Sequence, residues 1–407
     1  MVEPEVPAEP DLTGENAPRS LRVLVMIDSL ALGGAESLLT GFIDVAPSAG
    51  LEVRVAVVSP SDDSRRQMLP ALVARGASPD FLGIHRLLSW RGVPETVKAI
   101  RRSGCDLVHA HLEYASTLAA PAGWITGCPV ISTFHHVPAP GAGWRNDVRE
   151  RLAVAAAAAS ARTVFVSESS RARFAARYPI MANRNWEVVR NGIDVRAFSP
   201  AERLMPPDLG VPPGAPVALL PAALRGGKGH ELAIRSWPAV TAAHPEARLL
   251  LAGSGHEEVR LRGLAEKYGV VESVLFAGFR SDVASLMQAS SLVLLPSRSE
   301  ALPTVLMEAA ACGRAVVASN LEGIPEVVSE GKTGLLVDPD DADGFSKAVI
   351  DLLSDTSRRN AMGRRARERA VRDFSLERWV TDLRGLYEAA IEGRGRRLPN
   401  RDRSTAS

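Results

Sequence analysis

"LRVLVMIDSLALGGAESLLTGFIDVA", residues 21–46, sets an apolar run before a helical one, with Gly33 and Gly34 between them. Leu21 to Asp28 is Leu, Val, Met and Ile with almost no polar alternation, which reads as a strand covered on both faces. Gly33 onward reads as a helix opened by the two glycines. The same unit recurs at "LEVRVAVVS", "CDLVHAH", "PVISTFH" and "ARTVFVS", each followed by a helical stretch. Such alternation predicts a parallel sheet with helices on both faces.

After "NWEVVRNGIDVRAFSP" the rhythm breaks. Leu204 to Pro216 is rich in Pro and Gly and carries no period, so residues 201–215 read as a linker. The alternation then restarts with "PVALLPAAL", "ARLLLAGSG", "SVLFAGF", "SLVLLPS", "RAVVAS" and "TGLLVD". The expected organisation is an α/β unit over 21–200, a second over 216–373, and a closing helix over 374–392. Residues 1–20, acidic and Pro-rich, and residues 393–407, Arg-rich, read as disordered extensions.

The bulk properties narrow the function classes. A chain of 407 residues exceeds one ordinary core, which supports two domains. With 46% hydrophobic and 23% charged residues it is globular, and a net charge of +1 gives no reason to expect nucleic acid. No apolar run is long enough to span a bilayer, and the first residues lack the basic-then-apolar order of a signal peptide. Cys105, Cys128 and Cys312 form no C-x-x-C pair and read as buried thiols. A cytoplasmic location is expected. "GWRNDVRERLAVAAAAASARTV" leaves two readings open, a packing helix or a basic amphipathic helix making peripheral contact at the inner face of a membrane.

Ligands of open parallel sheets sit beyond the carboxyl ends of the strands, and the unusual residues cluster there. In "SRSEALPTVLMEAAACG", residues 297–313, Pro303 suits the first helical position, which leaves the amides of Thr304 and Val305 free for an anion. Glu308 follows five residues later, about 7.5 Å along a helix and roughly the span from a diphosphate to a ribose. Its Met and Ala neighbours suggest burial, and a carboxylate there can accept from a cis-diol. "LRGGKGHELAI" offers Arg225 and Lys228 to phosphate oxygens on a glycine-rich turn, without the spacing of a Walker loop. Gly33 and Gly34 make an amide-rich turn, in which Glu36 either meets a ligand or complements the helix dipole. His109 and His111 share a strand face, but no carboxylate or thiol completes a metal set. His135 is the candidate to touch a substrate, while His136 suits solvent equally well. Gly253 to Gly255 reads as a close backbone approach or a plain turn, and Phe279 as a base contact or core.

Taken together, "PSRSEALPTVLMEAAACGRAVVAS", "GIPEVV", "GKTGLLVDPDD", "KGH", "AGSG" and "NGID" resemble retaining glycosyltransferases of family 4, from Leu21 to about Glu392. The resemblance implies the GT-B fold, two Rossmann-like domains with parallel sheets facing across a cleft. It implies a nucleotide-sugar donor, UDP- or GDP-linked, held mainly by the second domain, and metal-independent catalysis without a cofactor. Carried over, Glu308 holds the ribose and Glu300 lies near the hexose. The backbone from Leu302 through Pro303 and Thr304 to Val305 meets the diphosphate beside Lys228, and His135 stands beside the transferred sugar. Gly33 and Gly34 lie near the acceptor or phosphate, and the last helix crosses back to the first domain.

The chain departs from the family at one point, showing "AAL" (Ala222 to Leu224) where "GRL" is usual. The expectation is that Arg225 replaces the missing arginine. Two other readings compete: a nucleotide-sugar 2-epimerase-like isomerase, and a catalytically weak nucleotide-sugar-binding partner protein.

Overall fold

The computed structural model describes residues 20–31, 33–62, 64–86, 89–138 and 143–395. The N-terminal extension up to residue 19 and the tail from residue 396 lie outside them. The first unit's strands are β1 (Leu21–Ile27), β2 (Leu51–Val57), β3 (Asp80–Phe81), β4 (Leu107–His111), β5 (Val130–Phe134), β6 (Arg162–Phe165) and β7 (Trp186–Val188). The second's are β8 (Val217–Pro221), β9 (Arg248–Ala252), β10 (Val274–Gly278), β11 (Leu292–Leu295), β12 (Val316–Ser319) and β13 (Gly334–Val337).

All pairings are parallel, in the orders 3-2-1-4-5-6-7 and 10-9-8-11-12-13. Parallel strands need crossover connections, and helices supply them, so the central strands are covered on both sides. Every residue of β4, β5, β11 and β12 is accordingly buried. Each order reverses direction once, between β1 and β4 and between β8 and β11. There the following loops diverge to opposite faces and open a crevice.

The chain crosses between the units twice. Ile193 N–H donates to Phe374 O at 2.8 Å, and Leu376 N–H donates to Ile193 O at 3.1 Å. Gly192 is required there, because a Cβ would come 2.7 Å from Ser375 O. The Leu376–Gly395 helix then lays Trp379, Val380, Leu383 and Tyr387 into the core around Val23, Val25 and Phe42. Trp379 meets Phe42 edge to face with ring centres 5.7 Å apart.

Candidate active site

β11 ends at Leu295, and residues 296–303 carry the chain to the Thr304–Ala311 helix. Pro303 is the residue before that helix, extended at φ −74° and ψ 108°, one place earlier than expected. Thr304 and Val305 thereby become its first two residues, whose amides have no carbonyl partner within the helix. The loop packs on the turn after β8. Gly229, at φ +77°, lies so close that a Cβ would come 1.8 Å from Pro296 O, and Arg298 N–H donates to Gly227 O at 2.8 Å. This contact brings Lys228 Nζ to 2.7 Å from Glu300 Oε1, with both side chains mostly buried.

A cleft of about 760 Å³ lies between the units. Gly33 and Gly34 line it on one side, and Ala222, Ala223, Gly253, Phe279, Thr304, Val305 and Glu308 on the other. Burial, with no charged neighbour contributing, pushes Glu308 up to about 7. Phe279 is 59% exposed and so is not core. Neighbouring Arg280 is taken up by Asp282 and Asp208, each at 2.6 Å. Leu302 and Pro303, at the end of the 296–303 loop, are buried and are not among the residues that line the cleft.

The glycines of "AGSG" serve a backbone contact. A Cβ on Gly253 would come 2.0 Å from Ala222 O, and one on Gly255 2.2 Å from Leu224 O. Gly253 still faces the cleft, whereas Gly255 is not among the lining residues. Arg225 is not among them either. It lines a separate pocket of about 50 Å³ with Gly226, His230, Glu257 and Arg260. Ala222 and Ala223, and not Arg225, are what this loop presents to the cleft.

In the first domain, His111 ends β4 and His135 follows β5, and neither is among the residues that line the cleft. His111 Nδ1 lies 2.8 Å from His135 Nε2. His109 is held by the Tyr387 hydroxyl and the Thr133 hydroxyl, both at 2.7 Å. Burial pushes all three down, His109 to about 3, so each is neutral at physiological pH. His135 Nδ1 is buried and has no hydrogen-bond partner among the described residues. His136 does not face solvent alone: it lies 3.6 Å from Glu113 and 4.0 Å from Glu150. Arg149 pairs with Glu113, and Arg177 meets Glu150 at 2.9 Å and Asp147 at 2.8 Å. Glu36 folds back over Gly33 at its own helix start, where burial raises its pKa.

Three residues escaped the sequence reading. Asp28, at the end of β1, accepts from Ala115 N–H at 2.8 Å and Tyr114 N–H at 3.2 Å, and burial pushes it up to about 7. Its one signal is a carboxylate ending an apolar strand. Glu322 accepts from Glu300 N–H at 2.7 Å, and Glu326 from Ser169 N–H at 2.9 Å. Glu326 lies within "GIPEVV", but nothing local shows the partner of either residue, because both partners lie elsewhere in the chain.

The pattern described as Glycosyltransferase Family 4 matches residues 32–197, and that described as Glycosyl transferases group 1 matches residues 202–369. A glycogen synthase of Mycobacterium tuberculosis is 30% identical over 297 residues, 71% of this chain and 70% of that protein. The chain belongs to glycosyltransferase family 4.

Other family 4 relatives differ in the compounds their names carry. A GDP-mannose-dependent monoacylated alpha-(1-6)-phosphatidylinositol monomannoside mannosyltransferase of Corynebacterium glutamicum is 34% identical over 229 residues, 52% of this chain and 58% of that protein. An N-acetyl-alpha-D-glucosaminyl L-malate synthase of Bacillus anthracis is 37% identical over 142 residues, 35% of this chain and 37% of that protein. The chain thus spans about half the length of these two. Among solved structures, HepE of Anabaena in complex with UDP superimposes with a TM-score of 0.75 at 23% identity, covering 91% of this chain and 100% of that one. Sucrose-phosphate synthase of Thermosynechococcus elongatus gives 0.74 at 21% identity, with 91% and 100% covered. The fold is GT-B, two Rossmann-like domains.

Proposed function

We propose that the chain is a retaining hexosyltransferase, which moves a sugar from a nucleoside-diphosphate donor to an acceptor hydroxyl. The observation that carries this reading is the cleft wall itself. Glu300, paired with Lys228 from the turn after β8, the free amides at Thr304 and Val305, and the half-buried carboxylate of Glu308 follow one another along one loop and helix, and the last three residues line the cleft. That order suits a hexose, a diphosphate and a ribose in turn. The donor binds the 216–373 domain and the acceptor the 21–200 domain. UDP and GDP sugars are the first donors to try, since HepE was solved with UDP and the Corynebacterium relative is named for GDP-mannose.

In the reaction, the bond from the anomeric carbon to the diphosphate oxygen breaks and its electron pair stays on that oxygen. Lys228 and the helix-end amides stabilise the growing charge. The acceptor oxygen bonds to the anomeric carbon on the same face, and its proton passes to the departing phosphate, so configuration is retained. Neutral His135 offers its unpaired Nδ1 to the sugar, and Glu300 accepts from hexose hydroxyls. Closure of the two domains excludes water.

The test is a thermal-shift panel of UDP, GDP, ADP and dTDP and their sugars, with and without magnesium. A ligand at a hundred times its dissociation constant stabilises by about 2.7 kcal/mol. The expected result is a shift with one nucleotide class, lost in Glu308→Ala, followed by sugar release or transfer from that donor. Binding without any turnover would favour the weak partner-protein reading, for which Arg225's place outside the cleft speaks.

A further inference from the structure

We propose that Glu322 is a positioning residue that couples contact between the two domains to the placement of Glu300. The inference rests on the transferase reading of the cleft.

Glu322 sits at φ +49°, the left-handed region that a residue with a β-carbon rarely occupies. Its side chain, 6% exposed, holds on in two directions. Oε2 accepts from Glu300 N–H at 2.7 Å and from the Ser299 hydroxyl at 3.0 Å. Oε1 faces Arg173 of the Glu168–Arg177 helix, in the first domain, at 3.3 Å. The next residue completes the grip, for Gly323 N–H donates to Glu300 O at 3.1 Å. A Cβ on Gly323 would fall 1.7 Å from Ala301 O, so the two segments meet backbone to backbone.

Both peptide groups of Glu300 are therefore held by residues 322 and 323, while its side chain takes Lys228. Four residues on, the Glu326 carboxylate accepts from Ser169 N–H at 2.9 Å, Glu168 N–H at 3.2 Å and Arg190 at 3.0 Å. One short segment of the second domain is thus clamped to the start of one helix of the first. When the domains part, Arg173 leaves Glu322 and the support of Glu300 loosens. Glu300 is then best ordered when the cleft is closed around both substrates.

Glu322→Gly is the informative variant, because glycine accepts the left-handed backbone while the carboxylate is lost. Its melting temperature should stay close to that of the unaltered chain, because the relieved backbone strain offsets the lost hydrogen bonds, and nucleotide affinity should be unchanged. Hydrogen exchange at the Glu300 amide should quicken about tenfold, the scale of one lost hydrogen bond, and kcat should fall similarly with donor KM held. Arg173→Ala, a surface change, should produce a smaller effect in the same two readouts. The double variant should be no worse than Glu322→Gly alone, because the two residues act in series. Exchange and kcat unaltered in Glu322→Gly would overturn the proposal. Effects in Glu322→Gly with none in Arg173→Ala would overturn the coupling. The exchange readout needs no turnover. An unaltered chain that transfers no sugar would therefore count against the transferase reading, while the link from Arg173 to Glu300 is still decided.

Discussion

Glu308 shows how one burial sets both stability and binding. Its carboxylate rises from 4.5 to about 7 because the site takes it out of water. The folded chain therefore holds a proton there that the unfolded chain has released, so stability contributed by the neutral form is lost as pH rises from about 4.5 through 7. Asp28, raised from 3.8 to about 7, adds a parallel loss. Glu308→Gln should flatten only its own share, visible as a difference between its unfolding free energy and that of the unaltered chain across that range. A ribose diol prefers the ionised form, so nucleotide binding should release a proton near pH 6.5, and calorimetry in two buffers should find that release gone in Glu308→Gln. Ala223 is the second residue with a clear outcome. It is exposed in the cleft, so Ala223→Arg should add a charge-assisted phosphate contact and raise kcat by about tenfold or more on the proposed reaction. An unchanged rate would show that Lys228 and the amides already suffice.

The strand-to-helix loops pack backbone against backbone for a reason that substitution can expose. Gly253 sits against Ala222 O, and a Cβ there has only backbone to displace. Gly253→Ala should cost about 1–3 kcal/mol of stability and weaken nucleotide binding with it. Gly263 is the contrast, exposed inside the Glu258–Lys267 helix with nothing within 4 Å of a Cβ. Gly263→Ala should add about 0.5–1 kcal/mol by helix propensity and leave binding alone. Denaturant unfolding of the pair separates glycines needed for packing from one that is merely tolerated.

Across the whole molecule, the last helix is part of the first domain's core. Trp379 is 5% exposed and packs against Phe42, although 337 residues separate them in the chain. Trp379→Ala should destabilise by about 3–5 kcal/mol. The loss should appear as faster proteolysis of the 21–200 region, because that is the core left with a cavity. Cleavage confined to the 216–373 region would contradict the packing described. Among the described residues no helix is long and apolar enough to cross a membrane, and the crossing of this helix ties the two domains without one.

The apolar runs, the glycine turns and the carboxylates at 300 and 308 were legible because each depends on neighbours in sequence. Periodicity, turn chemistry and the free amides of a helix start are local properties, and parallel sheets bury their strands so thoroughly that the runs stand out. β3 and β7, of two and three residues, carry too little pattern to be seen. What tertiary structure alone decided is the pairing of distant side chains. It turned Arg225 out of the cleft, set His111 on His135, brought Cys105 and Cys128 sulfurs to 3.7 Å, and closed Glu322 on Glu300 and Arg173. These pairings depend on how loops from separate strands pack at one sheet edge, and that packing has no period for a sequence to display.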